Sequence, residues 1–117
     1  MRSVESIFRE IEQVPDFAAH IIDSVSYRNG YGDTPLHIVS YWGDCEAIAI
    51  LVAAGADINA LGESGYTPLH CAAESNKSEA ISLLLRLGAE LLTDSAGDTA
   101  LDIAVSLNNK DAIAALS

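Results

Sequence analysis

The residues of this 117-residue chain best equipped for chemistry are His70 and Cys71, an imidazole beside a thiol, with His20, His37 and Cys45 elsewhere. A thiolate–imidazolium pair would make a nucleophile, but it requires the two side chains to converge, and adjacent helix positions diverge. Cys45 and Cys71 form no CxxC and nothing around them has metal-ligand spacing, so they read as core thiols of a reducing compartment. Asp94 and Asp98 can approach across a turn. As an acid–base pair they would also need an enclosing pocket to shift their pKa values, and solvated loop charges are the simpler expectation. The eight glycines form neither a Walker loop nor a dinucleotide-binding fingerprint. The expectation is a non-enzyme with no cofactor and no metal.

Charge sets the class of partner. Six Lys and Arg stand against 17 Asp and Glu, a formal net charge of −11 with a pI near 4.3. Nucleic acid and anionic lipid both call for a basic surface, so neither is expected as a partner. Half of the residues are hydrophobic, too many for a disordered acidic tail, and the length suits one domain with one core. The longest apolar run, Ala47 to Ala54, falls well short of the roughly 20 residues of a bilayer span. MRSVESIFREIEQ breaks its apolar positions with charge and lacks the block of a secretory signal. A cytoplasmic protein is the default reading.

Self-similarity organises the rest. Thr34-Pro35-Leu36-His37 returns 33 residues later as Thr67-Pro68-Leu69-His70, and 32 residues after that, degraded, as Thr99-Ala100-Leu101-Asp102. Gly55-Ala56-Asp57-Ile58-Asn59-Ala60 likewise returns as Gly88-Ala89-Glu90-Leu91-Leu92-Thr93. Thr34 and Thr67 suit an N-cap, and Pro35 and Pro68 suit the first helical position, where no amide proton is needed. Short helices are therefore predicted to begin there and to end near Tyr41-Trp42-Gly43 and Ser75-Asn76. Second helices are predicted over Cys45 to Ala53 and Ser78 to Arg86, stopped by Gly55 and Gly88, with turns or hairpins over Ala56 to Tyr66 and Ala89 to Asp98.

A helix pair of this size buries too little alone and must stack on a copy of itself. The sequence resembles the ankyrin-repeat family, whose G-x-TPLH, small-residue helix, LL helix and GADxNA landmarks match in order over residues 29 to 117. The resemblance implies an all-α repeat solenoid of helix-turn-helix pairs joined by hairpin-like loops, with about three repeats and a degenerate N-terminal cap. The predicted divisions are residues 3–28 for the cap, 29–61 and 62–93 for two full repeats, and 94–117 for a truncated third. In the cap, Val4, Ile7, Phe8 and Ile11 share one helical face, and Pro15 is taken to start a second segment over Asp16 to Ile22. His20 lies in that cap and reads as a solvent-edge residue. Ala112 to Leu116 is taken as the second helix of the last repeat. Leu92 in place of the family's Asn, with one residue deleted between Gly88 and Gly97, predicts a tighter or irregular second hairpin.

The resemblance also assigns roles. Thr34, Pro35, His37, Thr67, Pro68 and His70 are framework, the motif His bonding the motif Thr and nearby backbone. The family's concave face, formed by hairpin tips and the outward side of the first helices, maps onto Gly30, Tyr31, Asp33, Tyr41 and Trp42, then Glu63, Ser64, Tyr66, Glu74 and Ser75. In the third repeat it maps onto Ser95, Ala96, Asp98, Ser106 and Leu107. Aromatic residues are only 6% of the chain, yet Tyr31, Tyr41, Trp42 and Tyr66 fall on this face. Rings amid charge are what a binding hot spot needs. The expected partner-binding residues are Tyr31, Asp33, Tyr41, Trp42, Glu63, Tyr66, Glu74 and Asp98, centred on Tyr41 and Trp42. The partner is another protein with a basic surface, and the free chain is expected to be a monomer. An inhibitor fits, one concrete form being an immunity protein that occludes a basic toxin. The competing reading is a structural adaptor that associates through its repeat ends, where Ala112, Ala114 and Ala115 form a low apolar helix.

Overall fold

A computed structural model describes all 117 residues as seven α-helices without strands. Helix α1 (Val4–Ile11) is followed by the pairs α2 (Pro35–Trp42) with α3 (Cys45–Ala53), α4 (Pro68–Glu74) with α5 (Ser78–Arg86), and α6 (Ala100–Ser106) with α7 (Lys110–Leu116). The first helices of the pairs stack in one row, α2 on α4 on α6, and the second helices stack behind them in another. This is the all-α repeat solenoid that the family resemblance implies.

The helix limits follow from local chemistry. Thr67 and Thr99 accept the amide three residues on, and Thr34 takes part in the equivalent capping box. Each first helix stops at a left-handed residue, Gly43 at φ +75°, Asn76 at +59° and Asn108 at +56°. The shared core between the rows is built from repeat-equivalent residues. Ala47, Ala80 and Ala112 let the helices approach, while Leu36, Leu69, Ile48, Ile81, Leu51 and Leu84 fill the interior. Each fully buried Leu or Ile contributes about 1.5–3 kcal/mol.

At the amino end, Ile7, Phe8 and Ile11 bury the predicted face of α1. Arg2 fastens this helix to the next layer, bonding Asp44 at 2.6 Å and Glu46 at 2.8 Å while also pairing with Glu10. Asp44 in turn caps α3 through the Ala47 amide, and the Arg2 guanidinium holds its carboxyl below the usual range. The expected second segment of the cap is different. Only Pro15–Phe17 forms a single 3-10 turn, and residues 18–29 are irregular, with Ala19 at φ +66°. Polar ties replace helix bonds there: Glu12 accepts the Ile22 amide, Arg9 donates to the Ile22 carbonyl, and His20 Nδ1 lies 2.5 Å from the Tyr27 hydroxyl. Phe17 and Ile22 still reach the core.

The loops between repeats are fingers whose tips, residues 29–33, 62–66 and 94–98, are each closed by a backbone bond from the first amide to the fifth carbonyl and another from the fourth amide to the first carbonyl. The hairpin over Ala89 to Asp98, for which the sequence predicts a tighter or irregular course, is one residue shorter than its predecessor but has a regular tip. Asp94 N–H donates to the Asp98 carbonyl at 2.8 Å, as Gly62 does to Tyr66 at 2.7 Å. The deletion falls before the tip and leaves its geometry intact. Leu92 is the counterpart of Asn59, whose Oδ1 accepts the Glu90 amide of the next finger at 2.9 Å.

Candidate functional site: an acidic groove

The motif histidines are joints between repeats. His37 Nδ1 accepts the Thr34 amide at 3.0 Å, which places the proton on Nε2, and Nε2 donates forward to the carbonyls of Tyr66 at 2.8 Å and Ala60 at 3.0 Å. Burial pushes its pKa below the ordinary imidazole value, so the ring is neutral. His70 repeats the arrangement, accepting from Thr67 and donating to the Asp98 carbonyl at 2.8 Å. Both ring nitrogens are thus occupied, and His70 has none to offer Cys71. Burial drives the Cys71 thiol far above its usual pKa, with Asp33, Glu74 and Glu63 adding to the shift. The adjacent imidazole and thiol do not form a nucleophile.

The fingers and the first-helix row enclose a groove of about 940 Å³. Of the expected binding residues, Asp33, Tyr41, Trp42, Glu63, Tyr66, Glu74 and Asp98 line it. Tyr31 does not; it projects from the first fingertip, 57% exposed. Gly30, Ser75, Ser106 and Leu107 also lie outside the lining, whereas Ser64, Ser95 and Ala96 belong to it. Tyr41 is half exposed, while Trp42 lines the groove and packs against the core at once. Tyr66 stacks on His70 with centroids 5.1 Å apart, and burial and the nearby carboxylates raise its phenol pKa.

Asp33 needs correction as a docking residue. It is buried, and its Oδ1 accepts the Glu63 amide at 2.9 Å. The reason lies in the second finger. Asn29 and Asp94 begin their fingers with a side chain that accepts two amides of the tip, whereas Gly62 has none to give. Asp33 reaches across from the previous repeat into the space that Gly62 leaves and accepts a different amide of the tip, that of Glu63. Asp94 is likewise committed to its own turn, bonding the amides of Ala96 and Asp98, which is how the two aspartates come together.

Sequence reasoning missed one wall. Val14, Pro15 and Asp16, from the irregular cap, stand at the amino end of the groove. They belong to no repeat, so no periodic signal marks them. Asp16 brings the carboxylates of the lining to six, with Asp33, Glu63, Glu74, Asp94 and Asp98, and none of the six Lys and Arg side chains is among the lining residues. The neutral His37 adds no positive charge. Together with its partly exposed rings, the groove is a negative, aromatic-edged trough open to solvent.

A family model for ankyrin repeats, in three copies, matches residues 36–117. The chain belongs to the ankyrin-repeat family. Comparison with curated proteins gives no match. Ankyrin repeats generally mediate protein–protein interaction and are typically non-enzymatic. The matched region of this ankyrin-repeat chain includes every groove residue except those of the amino-terminal wall and Asp33. No helix is long and apolar enough to cross a membrane.

Proposed function

We propose that this chain is a non-enzymatic binding module whose groove receives a basic surface of another protein, with residues 3–28 serving as the cap of the repeat stack. The observation that carries the reading is the composition of the groove: six carboxylates, no Lys or Arg, and the rings of Tyr41, Trp42 and Tyr66. Such a field accelerates encounter with a cationic surface and rejects anionic ones. The aromatic rings then supply apolar area at small entropic cost. Occlusion is the simplest use of such a module, as an inhibitor or an immunity protein that covers a basic toxin in the cytoplasm.

The test is capture from a native lysate by the wild-type chain and by Glu63→Lys/Glu74→Lys. Both positions are exposed, so the variant should fold normally. Basic proteins retained by the wild type and lost by the variant are the expected result. Equal capture by both would overturn the reading.

A second reading rests on the carboxyl end. Leu101, Val105, Ile113 and Leu116 occupy the positions that Leu69, Ala73, Ile81 and Leu84 fill one repeat earlier, and those four are buried. Here Val105 is 58% exposed and the others are partly so. A face of this kind suits an adaptor that stacks end to end. Light scattering at micromolar concentration decides: a monomer favours the groove reading, a stable oligomer lost in Val105→Glu the stacking one.

A further inference from the structure

The groove has a lengthwise order that its charge alone does not describe. Ile38, Cys71 and Ile103 are repeat-equivalent residues, one from each first helix, and all three line the groove partly exposed. They form an apolar floor that runs from repeat to repeat. It is bordered by Glu63, Asp94 and Asp98 from the fingers and by Tyr41, Trp42 and Glu74 from the helices. The site is thus a strip of apolar steps between an acidic rail on the finger side and a mainly aromatic rail on the helix side.

We propose that its occupant is a cationic amphipathic α-helix of the partner, lying along the solenoid with its apolar stripe on Ile38, Cys71 and Ile103 and its Lys or Arg residues against the acidic rail. This rests on the basic-partner reading above and specifies the element that enters. Packed helices lie about 8–10 Å apart, which sets the step between successive floor residues. Seven residues advance a helix by about 10.5 Å, close to the upper end of that step, so one apolar stripe follows the floor. Same-face residues of an extended strand recur about every 6.6–6.8 Å and fall out of register. The trough is open to solvent along its length, so a helix about 10 Å across would seat only one face in it. The remaining face would stay in solvent, where the helix continues into its own protein. Val14, Pro15 and Asp16 stop the amino end of the groove, which fixes how far the helix can slide. Recognition of this kind uses anchors at i, i+3, i+4 and i+7.

The probe is a synthetic peptide of about 18 residues with Leu at i, i+3, i+4 and i+7 and Lys or Ala elsewhere. It is compared with a scramble of identical composition and with a version carrying a central Pro. Fluorescence anisotropy against the full chain should show the patterned peptide binding at least about tenfold tighter than either control. Circular dichroism of the mixture should show gained helix, and Ile103→Lys should remove most of the advantage without weakening the scramble to the same degree. Equal binding of all three peptides would overturn the helix and leave the basic-partner reading standing, as would Pro-peptide binding equal to that of the patterned form. Failure of every cationic peptide to bind, at low salt as well as high, would overturn both.

Discussion

His37 Nε2 donates to the Tyr66 carbonyl at 2.8 Å, joining the first turn of α2 to the end of the finger that leads into α4. The same ring also fixes its own helix start by accepting the Thr34 amide. One side chain therefore closes a helix end and couples two repeats. His37→Ala would leave the Thr34 amide and the Tyr66 and Ala60 carbonyls short of a partner, and should cost about 2–4 kcal/mol in urea unfolding. A loss below about 0.5 kcal/mol would mean that the joint carries no load.

The same residue makes stability depend on pH. Its pKa in the folded chain lies below the ordinary 6.5 because burial disfavours the cation. As pH falls below that value the unfolded chain takes up a proton that the folded chain refuses. The contribution of His37 is therefore complete above about pH 6.5 and shrinks below it. The urea midpoint should fall between about pH 7.5 and 5.5, and fall less in His37→Asn. A midpoint that rises on acidification would contradict the neutral-ring assignment.

Gly62 is predicted to be intolerant of any side chain, although its backbone is not left-handed. A Cβ there would stand 2.2 Å from Asp33 Oδ1 and 2.8 Å from His37 Nε2. Gly62→Ala must therefore break the Asp33–Glu63 bond or displace the imidazole, and a loss of about 2–3 kcal/mol is expected from chemical denaturation. Gly30, whose added Cβ would meet nothing, is the control: Gly30→Ala should change stability by less than about 1 kcal/mol.

Tyr41 and Trp42 should separate by mechanism. Tyr41 is 49% exposed on the groove, so Tyr41→Ala should weaken binding of the patterned cationic peptide severalfold and leave the melting temperature nearly unchanged. Trp42 also packs on the core, and Trp42→Ala should lower stability by about 2–3 kcal/mol as well as affinity. Equal stability losses in the two variants would contradict the burial difference.

Cys71 should be a poor nucleophile. Its thiol is driven up by burial and then by the carboxylates of the groove, and the thiolate is the reactive form. Iodoacetamide at about pH 8 should label it far more slowly than the same residue in the urea-unfolded chain. Folded-state labelling at the unfolded rate would reopen its chemistry.

Most of the framework could be read from the chain itself because repetition makes each element a check on the others. The limits of α2, α3 and α5 follow from Thr-Pro starts and from Gly stops, and α1 from the spacing of Ile7, Phe8 and Ile11. Residues 18–22 defeat this logic because they have no copy elsewhere. Their conformation is set by Glu12 and Arg9 gripping Ile22 from ten and 13 residues away. In the groove, Tyr41, Glu63, Tyr66 and Glu74 were found by aligning repeats, yet Asp33 was misjudged because its burial depends on the absent side chain at Gly62. The floor of Ile38, Cys71 and Ile103 was legible in the same alignment as a partly apolar column. Its exposure to the groove emerged only once the helices were stacked.

The imidazole joints run in one direction, each repeat lending a proton to the backbone of the one that follows. Asp102 keeps the local half of the device by accepting the Thr99 amide at 2.9 Å, but it has no ring N–H to donate onward. A designer wishing to lengthen this array by grafting another unit behind α7 would therefore meet a latch that offers the incoming carbonyl no donor, and would restore the socket with a single exchange, Asp102→His.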